Sequence, residues 1–350
     1  MKGLILAAGR GTRLRPLTHT RPKPVIRVAG RPILHYAVEN LLQAGIREVG
    51  VVVSPETHKD IAESLRHFPK PFRPTYILQE EPQGLAHAVQ VAQGWLGETP
   101  FVLYLGDNLF QRGIQDFLAP FQKGVSAVIA LAEVEDPRQF GVAVVEDGRV
   151  RRLLEKPQNP PSRLAVAGVY VFTPEVHEVI ATLKPSARGE YEITDAIQAL
   201  VDQGKTVLGV QVQGWWKDTG RPEDLLDANR LLLEALEPRL EGEVTGSRLV
   251  GRVVVEKGAS VRNSTLIGPV HVAEGARVED LGPFTSVGPY AVVRKAEVEY
   301  AILEDEAQVE EVHVRLQESI LGVKAEVRGK NGLPRTHRLI LGDLSRAELA

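Results

Sequence analysis

The sequence predicts an α/β protein in which a doubly wound, mostly parallel sheet is followed by a hexapeptide-repeat parallel β-helix. Over the first two thirds of the chain, short apolar runs alternate with amphipathic helical patterns, as in a parallel sheet covered by helices on both faces. Beyond Pro238 the long helical patterns stop and aliphatic residues recur six apart, as in stacked coils. The 350 residues suffice for two cores, so we predict domains over 1–238 and 239–350.

Composition excludes several classes of function. The formal net charge is −3, so the chain offers no overall basic field for nucleic acid. Without cysteine it can form neither a disulfide framework, a thiolate metal site nor a cysteine nucleophile. The chain starts directly with a strand and contains no long apolar span. We therefore expect a cytoplasmic protein that binds neither nucleic acid nor membranes.

The first element is an apolar strand over 4–8, which runs into a loop containing Gly9 and Gly11 beside Arg10 and Arg13. Glycines let a backbone approach an anion with its N–H groups turned inward, and arginines donate to phosphate oxygens. The loop therefore predicts a phosphate-binding site. It lacks the third glycine of the dinucleotide fingerprint and the Gly-Lys-Ser/Thr of the Walker A motif, so neither of those motifs explains it.

The remaining elements of the first domain follow from hydrophobic spacing and turn residues. Helices are predicted over 33–44, 56–67, 85–95, 174–183, 193–201 and 222–236, and strands over 48–53, 75–78, 101–105, 141–145, 150–154, 165–172 and 207–212. Gly45 is the predicted C-cap of the first helix. The three closely spaced strands over 141–172 are interpreted as the wall of a pocket next to the sheet. Ligands of such sheets bind beyond the carboxyl ends of the strands, which is where the glycine loop and Asp107 fall.

The second domain is predicted from its repeat. Aliphatic residues stand six apart at Leu249, Val255, Val261 and Ile267, with glycines between later pairs, and the phase slips at several points. We therefore expect an irregular coil. Such coils expose a flat side and two open ends, so this one is expected to pack against the first domain or another subunit, and the protein to form homo-oligomers. The segment 329–350 no longer fits the repeat and is expected to cap or leave the coil.

Two aspartates are candidates for a metal site. Asp107 ends an apolar strand, and Asp218 lies far along the chain in Trp-Trp-Lys-Asp-Thr-Gly. Two carboxylates brought together suit Mg²⁺, which prefers oxygen ligands and bridges carboxylates to phosphate oxygens. Asp107 could equally be a turn residue after its strand, and Asp218 could cap the helix that starts near Pro222. From the residues alone both interpretations stay open.

Three shorter strings have plain structural interpretations when each is taken alone. Glu155-Lys156-Pro157 would be a solvated charged turn, and 190–195 would be the start of a helix. Gln79 and the run 84–88 would be a strand end and an amphipathic helix. Together with the loop, however, these strings stand in the order and approximate spacing of one known family.

The chain resembles the sugar-1-phosphate nucleotidyltransferases. The string from Gly9 to Lys23 matches their signature loop, G-x-G-T-R-L-x-P-x-T-x-x-x-P-K. Within that family the resemblance is to the long-form thymidylyltransferases that act on glucose 1-phosphate, and it covers nearly the whole chain, including 334–343. It implies Mg²⁺-dependent transfer of a nucleotidyl group from dTTP to glucose 1-phosphate, which gives dTDP-glucose and pyrophosphate.

The resemblance also implies a role for each matching residue. The catalytic set would be Arg13 and Lys23 on the triphosphate, Asp107 and Asp218 on the magnesium, and Lys156 on the sugar phosphate. The nucleotide would be bordered by Leu6, Gly9, Gly11, Thr12, Gln79 and Gly84. The sugar would be hydrogen-bonded by Glu155 and bordered by Asn108, Gly141 and Tyr170.

One residue departs from the family pattern. The family continues Pro-Lys-Pro-x-x-Pro-Val after the signature loop, whereas here Arg27 takes the place of the last proline, before Val28. From the sequence alone we expect this departure to affect the conformation of the loop and not the site itself.

Charge neutralisation and alignment would be the main demands of this reaction, since both reactants are anions. A sugar phosphate oxygen is already ionised at neutral pH, so the chain needs no general base.

Three alternatives remain: a UTP- or GTP-using relative, a bifunctional enzyme whose β-helix transfers an acetyl group, and a non-catalytic binding protein. Histidine candidates for the second are His271, His313 and His337. The joint presence of the five catalytic candidates argues against the third.

Overall fold

The computed structural model describes residues 1–9 and 11–329. Its α/β part contains nine main strands: β1 Lys2–Leu6, β2 Val49–Val53, β3 Thr75–Leu78, β4 Phe101–Leu105, β5 Ala127–Glu133, β6 Gly141–Glu146, β7 Arg149–Glu155, β8 Leu164–Phe172 and β9 Val207–Gln211. Its helices are α1 Ile33–Gln43, α2 His58–Arg66, α3 Leu85–Leu96, α4 Gln115–Leu118, α5 Glu175–Ile180, α6 Ile193–Asp202 and α7 Pro222–Glu234. Short strands pair Arg27–Val28 with Arg31–Pro32 and Leu109–Phe110 with Trp216–Lys217, and 3₁₀ turns span Thr12–Leu14, Leu17–His19, Lys23–Val25 and Pro137–Gln139.

The nine strands form one mixed sheet in the order β3-β2-β1-β4-β8-β5-β9-β7-β6. Strands β3, β2, β1 and β4 are parallel to one another, as are β5 and β9. Strand β8 is antiparallel to β4 and β5, and β7 is antiparallel to β9 and β6. The predicted mostly parallel sheet is confirmed. The strands interpreted as a wall beside the sheet instead extend it, and β6 also pairs with β8.

Helices cover both faces of this sheet, because alternate residues of its buried strands point to opposite sides. On one face Leu4 and Leu103 pack with helices α3, α5 and α6. On the other, Ile5 and Val102 pack with α1, α2 and α4. The doubly wound arrangement is thereby confirmed. Helix α1 ends at Gln43, one residue before the predicted end, and Gly45 directly follows its C-cap residue, Ala44. Gly45 has φ +80°, and the N–H of Ile46 donates to the Leu41 carbonyl at 2.9 Å.

The C-terminal part is a three-sided parallel β-helix. One ladder stacks Arg239–Leu240, Val253–Val255, Val270–Val272, Thr285–Val287, Val298–Leu303 and Leu316–Leu321. A second stacks Glu243–Thr245, Ser260–Arg262, Arg277–Val278, Val292–Arg294, Gln308–Glu310 and Glu326–Arg328. The third pairs Arg248–Val250 with Thr265–Ile267 and continues through bridges at Leu281. These ladders fit the left-handed hexapeptide-repeat helix implied by the resemblance.

The coils of the β-helix are irregular in length, as the phase slips predicted. Leu266 pairs with Leu281, and Ile302 pairs with Ile320. The step along the chain from one coil to the next is therefore three residues longer in the second pair than in the first. Each coil nevertheless contributes inward aliphatic residues to one continuous core. Helix α7 ends at Glu234 and the first coil strand begins at Arg239, which supports the proposed boundary at 238.

The β-helix packs against the α/β part. The amide of Asn229 on α7 donates to the Phe284 carbonyl at 3.0 Å and accepts from the Ser286 hydroxyl at 2.8 Å. The turn after the Arg27–Val28 strand also meets the coil, because Gly30 lies so close to the His271 ring that any Cβ there would overlap it. The β-helix thus packs against the first domain, which is one of the two expected contacts.

Some expectations fall outside the described residues: those on Arg10, on His337, on 334–343 and on the segment beyond Gly329. Within the described residues, no helix combines the length and the apolar character needed to cross a membrane.

Candidate active site

A cavity of about 360 Å³ opens at the carboxyl ends of β1 and β4. Of the residues predicted from the sequence, it is lined by Leu6, Gly9, Gly11, Thr12, Arg13, Lys23, Gln79, Gly84 and Asp107. Parallel strands place their carboxyl ends at one edge of the sheet, so residues far apart in sequence converge here. The loop after β1 and the turn after β4 therefore face the same space.

Backbone geometry shapes the glycine loop. Gly11 has φ +59°, a conformation that a residue with a side chain rarely adopts, and its carbonyl accepts from the Leu14 N–H at 3.0 Å and the Thr18 hydroxyl at 2.7 Å. Leu14 is buried and anchors the loop from below. A Cβ on Gly9 would meet no protein atom within 4 Å. The loop thus exposes backbone to the cavity at Gly9 while it is held firmly at Leu14.

Lys23 is the electrostatic centre of the site. Its side chain is almost fully buried, and its Nζ donates to Asp107 Oδ2 at 2.7 Å and to the Asp218 carbonyl at 2.8 Å. Burial raises the pKa of Asp218; Lys23 opposes this shift and the charge of Asp107 adds to it. A Cβ on Gly220 would lie 3.0 Å from Asp218 Oδ2 and 3.2 Å from Arg13 Nη1. The structure thus brings together four of the five predicted catalytic residues.

Asp107 and Asp218 fit a divalent cation by their chemistry. Within the described residues, no group of three or more His, Cys, Asp or Glu side chains is gathered as a metal cage. Mg²⁺ needs no such cage, because one or two carboxylates with water and substrate phosphates suffice. The N-cap position of helix α7 is Arg221, whose backbone N–H donates to Asp224 Oδ2 at 2.8 Å, and not Asp218. Asp218 is therefore not needed as the cap that the sequence had left open.

Gln79 and Gly84 line the same cavity from the end of β3 and the start of α3. Gln79 is buried at the end of β3, with its Nε2 3.0 Å from His87 Nδ1. Gly84 has φ +108°, and a Cβ there would lie 2.5 Å from the Tyr191 carbonyl oxygen. Only glycine lets the start of α3 approach that carbonyl so closely. A side-chain amide beside such a narrow backbone slot can recognise the edge of a base.

The predicted sugar residues lie outside the cavity lining and cluster around Glu155. Its Oε2 accepts from the Thr194 hydroxyl at 3.1 Å, and its Oε1 lies 3.7 Å from Lys156 Nζ. A Cβ on Gly141 would lie 3.5 Å from Glu155 Oε2 and 2.7 Å from Thr194 Cγ2. Gly141 therefore leaves room beside the carboxylate.

Asn108 and Tyr170 connect this cluster to the aspartates. Asn108 donates to Asp107 Oδ1 at 2.7 Å and accepts from Trp216 Nε1 at the same distance. Tyr170 is buried, and its pKa is raised by burial and further by the charges of Glu155 and Asp107. Tyr170 is thus influenced by the carboxylates of both groups of predicted residues.

Two residues of this region were not predicted. Arg188 donates to Glu155 Oε1 and to Glu190 Oε2, both at 3.1 Å, and places a second cation beside Lys156. The sequence could have indicated Arg188, since it precedes the string over 190–195 by only two residues. Trp216, which holds Asn108, had no local signal beyond its place near Asp218.

Comparisons with known proteins show the family to which the chain belongs. A family model described as nucleotidyl transferase matches residues 2–235. The glucose-1-phosphate thymidylyltransferase of Streptomyces antibioticus is 44% identical over 356 residues, which cover 100% of this chain and 99% of that protein. The enzyme of the same name from Streptomyces griseus is 44% identical over 355 residues, 100% of each chain. A solved UDP-glucose pyrophosphorylase complexed with UDP-glucose is similar with a TM-score of 0.61 and 27% identity, over 67% of this chain and 99% of that one.

Proposed function

Because this chain belongs to the nucleotidyl transferase family, we propose that it transfers a thymidylyl group from dTTP to glucose 1-phosphate, with dTDP-glucose and pyrophosphate as products. The observation that carries the proposal is the convergence of Arg13, Lys23 and Asp107 on one cavity, with Asp218 held next to it through its contact with Lys23. The choice of substrates is supported by the two Streptomyces relatives, which match this chain from end to end.

The nucleotide is proposed to occupy the cavity at the end of β1. Gly9 offers open backbone to it, while Arg13 and Lys23 supply positive charge for its phosphates. Gln79 and Gly84 line the part of the cavity where the base would lie. Leu6, Gly11 and Thr12 complete the wall.

Enzymes of this family generally use a divalent metal, and we propose Mg²⁺ on Asp107 and Asp218. When bound, this ion would neutralise negative charge on the phosphate oxygens. Lys23 already holds one carboxylate oxygen of Asp107 and the backbone of Asp218, so it would keep both aspartates in place. The arrangement suits a site that must accept several negative groups at once.

The reaction requires one bond to form and one to break. A phosphate oxygen of glucose 1-phosphate attacks the α-phosphorus of dTTP, and the bond from that phosphorus to the β-phosphate oxygen breaks in line, which releases pyrophosphate. Lys156 and Glu155 are proposed to hold the sugar phosphate and the sugar hydroxyls. The attacking oxygen is already ionised, so no residue need remove a proton, and the chain's contribution is alignment and charge stabilisation.

The test is pyrophosphate release by the purified protein with Mg²⁺, with dTTP, UTP, GTP, CTP and ATP offered separately against glucose 1-phosphate. A preference for dTTP is expected. Arg13→Ala and Asp107→Ala should each lower turnover by about 10²-fold, as for loss of one preorganised electrostatic group. Near-normal turnover in both variants would contradict the site.

UTP is the second candidate donor, favoured by the similarity to the UDP-glucose pyrophosphorylase structure. If UTP were preferred, the phosphate and metal assignments would stand and those of Gln79 and Gly84 would change.

An acetyl transfer in the β-helix is not favoured through His271, because that ring is buried against Gly30 and its Nε2 lies 3.1 Å from Glu256 Oε1. We extend the proposal to a cytoplasmic homo-oligomer, supported by the open ends of the coil.

A further inference from the structure

The residue that departs from the family pattern makes a contact that proline could not make. The backbone N–H of Arg27 donates to Glu304 Oε1 of the β-helix at 2.8 Å. Proline has no N–H and would leave this carboxylate oxygen without its donor. The arginine side chain adds a second link, because its Nε donates to Asp305 Oδ1 at 2.8 Å. The departure is therefore matched by two consecutive acidic residues far along the chain.

A second arginine reaches the same pair of carboxylates from the other side of the loop. Arg21 Nη1 lies 3.7 Å from Glu304 Oε2, and its Nη2 lies 3.8 Å from Asp305 Oδ2. Arg21 and Arg27 bracket the segment that carries Lys23. The β-helix thus holds both ends of the loop from which the central cation of the site projects.

Little flexible backbone lies between this contact and Lys23. The 3₁₀ turn at Lys23 is closed by the Ile26 N–H, which donates to the Lys23 carbonyl at 3.0 Å, and Arg27 follows directly. On the other side, Glu304 lies on a turn of the coil, with its own N–H donating to the Leu321 carbonyl at 2.9 Å. A displacement at Glu304 would therefore be passed to the Lys23 turn.

The burial of Glu304 argues that this contact is more than a surface ion pair. Its side chain is only 5% exposed, between the two parts of the protein. A carboxylate in such a place loses most of its hydration, which only specific donors and nearby positive charge can offset. The groups that face it are Arg21 and Arg27 from the loop and Asp305 from its own turn.

We propose that Glu304 is a positioning residue for nucleotidyl transfer: through Arg27 and Arg21 it fixes the loop that holds Lys23 between Asp107 and Asp218. The inference rests on the proposed function, because it takes Lys23 to act on the triphosphate. The β-helix is then part of the machinery that shapes the site, although none of its described residues lines the nucleotide cavity.

The test compares Glu304→Ala and Glu304→Gln with Glu306→Gln, a control on the same turn whose carboxylate makes an exposed contact with Lys324 at 3.5 Å. Misplacing Lys23 should act on the chemical step, so Glu304→Ala is expected to lower kcat about tenfold and to change both KM values less than about threefold. Glutamine keeps an oxygen acceptor for the Arg27 N–H, so Glu304→Gln should recover most of the lost kcat. The control should match the parent protein.

A variant of Arg27 keeps the test decisive if Glu304→Ala fails to fold. Ile26 has φ −61° and ψ +138°, which is compatible with a following proline, so Arg27→Pro can fold while it removes both links to the coil. It is expected to lower kcat about tenfold, like Glu304→Ala. A kcat equal to that of the parent protein in Arg27→Pro, or in a folded Glu304→Ala, would overturn the proposal.

Amide hydrogen exchange separates this proposal from the proposed function. Glu304→Ala and Arg27→Pro should speed exchange over residues 22–28, and the Glu306→Gln control should not. If the parent protein released no pyrophosphate with any nucleotide, the proposed function would fail, whereas the exchange comparison would still show whether the coil orders the loop. Unchanged exchange in both variants would count against the positioning role even if the enzyme were active.

Discussion

The two halves of the site are built in different ways. The nucleotide half, defined by the loop from Leu6 to Lys23 with Gln79 and Gly84, consists largely of one continuous stretch and relies on exposed backbone. The sugar half, defined by Asn108, Gly141, Glu155, Lys156 and Tyr170, is assembled from the ends of separate strands and relies on side chains. Backbone donors suit phosphates, which every nucleotide shares, whereas side chains suit the particular hydroxyls of one sugar.

Removal of Lys23, the cation that contacts both candidate metal-binding aspartates, should have the largest effect. Lys23→Met keeps the apolar stem but removes the charge, which leaves Asp107 and the half-buried Asp218 without their cation. We expect kcat/KM to fall by about 10²- to 10³-fold for both substrates. The measurement is steady-state pyrophosphate release, with Lys205→Met as control, since Lys205 makes an exposed ion pair with Glu175. A loss confined to one substrate would contradict the shared role.

A loss restricted to the sugar half should follow from Lys156→Met. The ammonium of Lys156 lies 3.7 Å from Glu155 Oε1, outside the lining of the nucleotide cavity. Losing one hydrogen bond to a charged phosphate should raise KM for glucose 1-phosphate by about 10- to 100-fold. Binding of dTTP, measured by calorimetry, should change little. Equal weakening of both ligands would show that the two halves are not separable.

The nucleotide half can be perturbed alone with a single methyl group. A Cβ on Gly9 meets no protein atom within 4 Å, so Gly9→Ala should fold normally and intrude only on the space proposed for the nucleotide. We expect KM for dTTP to rise about tenfold, in keeping with the cost of overpacking. Gly94→Ala, which also meets no atom within 4 Å but lies in α3, is the matched control. Unaltered dTTP kinetics in Gly9→Ala would remove Gly9 from the site.

The smallest expected effect concerns Glu304, the β-helix residue that contacts the loop of the nucleotide half. Burial raises the pKa of Glu304 from its ordinary 4.5 to about 7. Because the pKa of Glu304 is higher in the folded than in the unfolded protein, Glu304 stabilises the folded protein fully at a pH below its ordinary pKa. This contribution to stability is lost as the pH rises through about 7. Glutamine does not titrate, so the thermal midpoint of the parent protein should fall by a few degrees relative to Glu304→Gln between pH 5 and pH 8. A midpoint difference independent of pH would contradict this expectation.

The same contrast decides what the sequence could predict. The nucleotide half is continuous, so the string from Gly9 to Lys23 carried its own signal, and Lys23 lies beside both aspartates in the structure. Strand bounds were also accessible: the strand at 75–78 was predicted as it occurs. Strand β5 was not predicted, although Ala127–Glu133 contains a buried apolar run, because it falls between segments without a flanking motif.

The sugar half was predicted only through the family resemblance. Glu155 and Lys156 taken alone form an ordinary charged turn, and nothing local places them near Thr194 or Arg188. Such contacts depend on how distant strands pair in the sheet, which spacing along the chain does not encode. The link between Arg27 and Glu304 was inaccessible for the same reason, although the missing proline marked its position.

The contact between Arg27 and Glu304 also bears on how the protein is made. The two residues lie 277 positions apart, and the N-terminal part leaves the ribosome first. At roughly 5 to 20 residues per second, the loop would wait on the order of 15 to 60 seconds for the coil that holds it. During that interval the loop that holds Lys23 would lack its contact with Glu304 in the nascent chain. Completion of synthesis would therefore act as the last step of assembly of the active enzyme.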